Sequence, residues 1–173
     1  QAERSLRNLG ILDYLLKNKR KGANIETIAI AVKVSVYGTK VLLEAGLSLE
    51  MVMMKHDKFF ITKTGYFILS DELTRVNMDF VNDVNYNGMN YLEDSIVSGK
   101  PEGLKVFGNW NTVYEALLEL PSQVRKSWFA FDHYYSDYAF PEVFPHIFNS
   151  NPKKILDVGG NTGKFSIFCA QNN

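Results

Sequence analysis

The chain has 173 residues, 46% of them hydrophobic and 13% aromatic, which is enough apolar surface for a folded core and too much for intrinsic disorder. Lys and Arg total 19, as do Asp and Glu, so no global charge draws the chain to nucleic acid or to an anionic membrane. The single cysteine, Cys169, excludes an intrachain disulfide and fits a reducing, cytoplasmic setting. No apolar run approaches the roughly 18 residues of a membrane span, and no charged-then-apolar signal segment opens the chain.

Leu6, Leu9, Leu12, Leu15 and Leu16 recur at helical spacing across residues 5–18, with Gly22 as a stop signal beyond the basic run 17–21. Asn24 is placed to cap a second helix over residues 25–32, and Ser35 a third running to Gly46. The pattern then changes to two β-rich runs, 51–54 and 59–62, joined by Lys55-His56-Asp57-Lys58 as a hairpin turn with His56 solvated at its tip. Helices followed by a hairpin is the order of a winged helix, expected over residues 1–70. Such a domain can bind DNA, but the helix from residue 36 to 45 offers Lys40 as its cation and carries Glu44 as well, too little charge to neutralise phosphates. The apolar runs 41–43 and 51–54 suit self-association better.

Residues 71–150 read as a helical linker. Asp71 is a cap candidate; residues 80–96 read as a helix that Gly99-Lys100-Pro101 ends; 102–111 is a loop anchored by Trp110; and a helix from Asn111 or Thr112 runs to Pro121. A further helix from Ser122 to before Pro141 contains the aromatic block 128–138. One face of it must pack, as core or dimer interface; the other suits the wall of an apolar ligand pocket with a few orienting polar groups. His133 beside these aromatics reads as structural more readily than as a base. Three histidines and one cysteine lack any metal-ligand spacing, and there is no nucleophile elbow.

Near the end, Ile155, Leu156 and Val158 read as a short buried strand, residues 159–163 as a tight turn, and 166–170 as the start of a helix. A P-loop needs four residues between its glycine and Gly-Lys, followed by Ser or Thr; here three separate Gly159 from Gly163, and Phe165 follows Lys164. The dinucleotide pattern fails at Asn161 and Lys164. What fits is Asp157 at the strand end with Gly159 and Gly163 two and six positions on. The glycines let backbone approach a ligand, and Asn161 is the non-glycine type that best tolerates a left-handed conformation. A carboxylate there repels phosphate and favours a cation.

This stretch resembles the first motif of class I S-adenosylmethionine-dependent methyltransferases, and the chain as a whole resembles their winged-helix small-molecule O-methyltransferases, including Tyr135-Ser136-Asp137 ahead of Asp157-Val158-Gly159-Gly160-Asn161-Thr162-Gly163. The resemblance implies a mainly α fold with a small β-hairpin, followed by the opening strand, turn and helix of a Rossmann-like domain from residue 151. It implies S-adenosylmethionine as cofactor, held by Asp157, Gly159, Gly160, Asn161, Gly163 and Ser136, with Phe131 and Tyr135 facing cofactor or substrate. It implies a homodimer through residues 1–70 and a small aromatic or apolar acceptor. The family's catalytic His, ribose-binding acid and adenine pocket lie C-terminal to the glycine turn. The chain starts without Met and stops ten residues after Gly163, so it is expected to be an inactive piece whose catalytic residue lies beyond 173 and whose residues 155–158 pair with another chain or pack irregularly. The competing expectation is a winged-helix transcription regulator with a ligand-sensing region.

Overall fold

The expected helix over residues 5–18 is two helices, α1 (Ala2–Asn8) and α2 (Ile11–Lys17), broken where Gly10 takes a left-handed φ of 76°. The break lets Leu6, Ile11, Leu12 and Leu15 all reach full burial, while Leu9 at the corner stays 43% exposed. The structure, a computed structural model, describes residues 1–172. By packing, the chain divides into two compact units, Gln1–Met89 and Asn90–Asn173.

In the first unit, Asn24 caps α3 (Ile25–Val32) by accepting from the Thr27 amide, and Ser35 caps α4 (Val36–Ser48) by accepting from the Gly38 amide. Helix α4 does not stop at Gly46. That glycine is interior and buried, and a Cβ there would meet Leu6 Cδ1 and Val52 Cγ2 at 3.1 Å each; it is present for close packing, a reason that a helix-stop rule misses. Strands β1 (Val52–Lys55) and β2 (Lys58–Ile61) pair antiparallel with Val52 opposite Ile61. His56 and Asp57 both have positive φ, 48° and 58°, as a type I′ turn requires. Ala23 extends the ladder by exchanging backbone hydrogen bonds with Phe59. Met51, Val52 and Phe59 close the core over Leu6, Ile28 and Leu43.

Thr62 caps α5 (Lys63–Ser70), and Asp71 caps α6 (Glu72–Phe80) by accepting from the amide and hydroxyl of Thr74. These hydrogen bonds hold the Asp71 carboxyl below its ordinary range. Helix α6 belongs to the first unit rather than to a linker, because Arg4 of α1 pairs with Asp79 at 3.1 Å and with Asp83 at 3.0 Å, and Arg7 also pairs with Asp79. The expected helix over 80–96 is absent as one element: a π turn (Val81–Asn85) and a 3-10 turn (Gly88–Tyr91) precede α7 (Leu92–Ser98), which ends at left-handed Gly99.

In the second unit, the expected helix up to Pro121 shrinks to α8 (Val113–Ala116), and Ala116, Leu120 and Val124 of α9 (Ser122–Ser136) are all buried. A 3-10 turn (Asp137–Ala139) leads into α10 (Phe140–Phe148), and α11 (Lys164–Asn172) follows the glycine turn. Phe140 and Phe144 of α10 pack on Phe165 and Phe168, with ring centroids 5.0–6.0 Å apart. Residues 155–158 do not form the buried strand that their apolar run suggests. The hairpin is the only sheet among the described residues, and Leu156 and Val158 are 85% and 84% exposed. A strand's amides and carbonyls need a paired neighbour, so this segment runs irregularly, the alternative that the resemblance implied.

Candidate functional site

Helix α9 presents Trp128, Phe131, Asp132, Tyr135 and Ser136 at intervals of three and four, which puts them on one helical face. That face lines a cleft of about 690 Å³ within the second unit. The opposite lining comes from the segment after residue 156: Asp157, Gly159, Gly160, Asn161 and Lys164. Of the site residues expected from sequence, Phe131, Tyr135, Ser136, Asp157, Gly159, Gly160 and Asn161 therefore meet at one cleft. Gly163 closes the same turn, its amide donating to the Gly160 carbonyl at 2.7 Å.

The turn has the conformation that its residues foretold. Gly159, Asn161 and Gly163 all have positive φ, 74°, 50° and 77°. A Cβ at Gly159 or Gly163 would meet nothing within 4 Å, so bare backbone stands beside open space. Asp157 folds over the turn: its carboxylate accepts from Ser166 Oγ at 3.0 Å, and a Cβ on Gly160 would stand 2.7 Å from Asp157 Oδ2. Burial and the Asp157 charge both push the Cys169 thiol up from its ordinary pKa.

Side chains bridge the turn to α9 in a way that pattern reading missed. Asn161 Nδ2 donates to Asp132 Oδ2 at 3.1 Å, Thr162 Oγ1 meets His133 Nε2 at 3.0 Å, and Lys164 Nζ donates to Asp137 Oδ2 at 2.7 Å. His133 Nδ1 and Ser136 Oγ both meet Asp137 Oδ1 at 3.1 Å. Burial pushes the Asp137 carboxyl up, but the hydrogen bonds from Lys164, His133 and Ser136 outweigh it and hold the group below its ordinary range. His133 thus bridges Asp137 and Thr162. The missed signal was the pairing of Asp132, His133 and Asp137 with Asn161, Thr162 and Lys164, residues 27–29 positions apart. Among the described residues no group of His, Cys, Asp or Glu could hold a metal, and no helix is long and apolar enough to cross a membrane.

Residues 1–59 match the family model of the Dimerisation2-like domain. No curated protein matches the sequence. Solved structures do match over almost the whole chain. PigF, solved with S-adenosylhomocysteine (SAH), is 18% identical with a TM-score of 0.72, covering 99% of this chain and 51% of PigF. Human N-acetylserotonin methyltransferase, solved with S-adenosylmethionine, is 19% identical with a TM-score of 0.66, covering 99% of this chain and 51% of that enzyme. The O-methyltransferase NcsB1 from neocarzinostatin biosynthesis, solved with S-adenosylmethionine and 2-hydroxy-5-methyl naphthoic acid, is 18% identical with a TM-score of 0.62, covering 98% and 52%. The chain spans about half the length of these solved structures. Over that half its fold is similar to that of these solved structures, and its first 59 residues match the Dimerisation2-like model.

Proposed function

We propose that the chain is the N-terminal portion of an S-adenosylmethionine-dependent methyltransferase, cytoplasmic and homodimeric through its winged-helix first unit, that methylates an oxygen of a small aromatic or apolar acceptor. The observation that carries this reading is convergence. Asp157, Gly159, Gly160 and Asn161 of the glycine turn and Phe131, Tyr135 and Ser136 of the aromatic helix, more than 20 positions apart, line one cleft.

The residues present fit the cofactor. Open space beside Gly159 admits a ligand against backbone, and a carboxylate at Asp157 suits a cationic sulfonium compound and disfavours a phosphate. When bound, S-adenosylmethionine supplies an electrophilic methyl group. Asp157, Gly159, Gly160, Asn161, Gly163 and Ser136 are assigned to holding it, and Phe131 and Tyr135, whose rings are 4.9 Å apart, to stacking on a planar acceptor and excluding water. The isolated 173 residues are assigned no activity: residues 155–158 lack a neighbouring strand among those described, so the turn lacks the sheet that would hold it rigid. Isothermal titration of the isolated chain with S-adenosylmethionine is expected to show no heat of binding.

A DNA-binding regulator is the weaker reading, because Lys40 of α4 lies 3.8 Å from Glu44 and is offset by it. The deciding experiment is transfer of labelled methyl groups from S-adenosylmethionine to panels of phenols and amines by the product of the whole gene. Labelled phenols, lost in Asp157→Asn, support the proposal. Labelling of amines alone overturns the oxygen assignment, and no labelling at all overturns the enzyme.

A further inference from the structure

The geometry points to Asp137 as a positioning residue: through Lys164 and His133 it latches the glycine turn onto helix α9 and sets where the turn stands against Phe131, Tyr135 and Ser136. Side chains join the turn to the end of α9, and these converge. Both carboxylate oxygens of Asp137 are engaged, Oδ2 by Lys164 and Oδ1 by His133 and Ser136. His133 passes the link on to Thr162, and Asn161 adds a parallel bridge to Asp132. One carboxylate therefore orients Ser136 on the helix side of the cleft and Lys164 on the turn side.

The chemistry favours Asp137 as the hub over its neighbours. Its bond to Lys164 joins two charges and is stronger than a neutral hydrogen bond. The Thr162–His133 contact works with His133 in either protonation state: neutral imidazole accepts from the hydroxyl, and imidazolium donates to it. The Asn161–Asp132 bridge is a single exposed hydrogen bond. Asp137 also stands one residue past the end of α9, at the start of the 3-10 turn Asp137–Ala139, so its position follows the helix axis closely.

The latch stands on geometry alone; its consequence for ligand binding rests on the reading of the cleft as a cofactor site. The test uses the product of the whole gene without ligand, and measures hydrogen exchange at Gly163 and Ile167, whose amides close the turn and start α11. Asp137→Asn and Lys164→Met are each expected to speed exchange there about tenfold, the size of losing one hydrogen bond to a charged group. The double variant should be no faster than either single, Lys164→Arg should retain protection, and amides of α1–α4 should not change. Lys164 is half exposed, so Lys164→Met serves if Asp137→Asn fails to fold. Unchanged exchange in both variants overturns the latch. Titration with SAH separates the two ideas. Affinity lowered about tenfold in the same variants supports positioning; wild-type affinity in variants with faster exchange overturns it. No binding by the wild type sinks the cofactor reading and leaves the latch to the exchange result.

Discussion

Gly65 is the position at which close packing should overrule helix propensity most clearly. It lies in the first turn of α5, and a Cβ there would stand 2.3 Å from the Met51 carbonyl oxygen and 2.9 Å from Ile61 Cγ1. That carbonyl cannot retreat cheaply, since it accepts from the Thr62 amide at 3.0 Å and the Thr62 hydroxyl at 2.9 Å. Gly65→Ala gains about 1 kcal/mol of helix propensity. Against this stand about 1–3 kcal/mol of overpacking and about 1 kcal/mol for each Thr62 hydrogen bond weakened as α5 moves off the hairpin. The net expectation is a loss of about 2–4 kcal/mol. Native-state hydrogen exchange at Phe59, whose amide donates to Ala23 at 2.8 Å, should accelerate about 30-fold or more, at 1.36 kcal/mol per decade. Gly46→Ala is the control, because its Cβ would meet only methyl groups at 3.1 Å, and propensity should offset most of that cost to within about 1 kcal/mol. A Gly65→Ala protein as stable as wild type would refute the reasoning.

The same substitution in the glycine turn should act differently. Gly160→Ala pushes against the Asp157 carboxylate, the end of a side chain that can swing away, so the melting temperature should hardly move while SAH affinity of the whole gene product falls at least tenfold; unchanged affinity would remove Asp157 from the site. Ile30 and Tyr37, each 78% exposed on α3 and α4, fall within the Dimerisation2-like match. Ile30→Asp with Tyr37→Asp should leave stability within about 0.5 kcal/mol per site and convert a dimer to a monomer in sedimentation, and a persisting dimer would place the interface elsewhere. Asp137 has a folded pKa below its ordinary 3.8, so its contribution is complete above that value and is lost as pH falls through the lower folded one. Protection at Gly163 should therefore fall only in strong acid, and a loss beginning near neutrality would contradict the assignment.

Local signals in this chain were legible wherever one residue's chemistry sufficed. The caps at Asn24, Ser35 and Asp71, the hairpin turn within residues 55–58 and the left-handed Asn161 were each readable because the deciding hydrogen bond or φ lies within a few positions. Reading failed where the partner is distant in sequence. Gly46 looked like a stop because Leu6 and Val52, which need its bare surface, are not its neighbours. Residues 155–158 looked like a strand because apolar runs encode a preference for pairing and say nothing of whether a partner is present.

The conformation of the glycine turn was legible in sequence alone: the Asp157, Gly159 and Gly163 spacing departs from the phosphate motifs, and those residue types carry their backbone conformations with them. The meeting of that turn with α9 was decided by tertiary structure alone. The bridges from Asp132, His133 and Asp137 to Asn161, Thr162 and Lys164 cross α10 and an irregular segment. Hydrogen bonds between side chains that far apart depend on where the intervening chain folds back, and residue spacing carries no record of it.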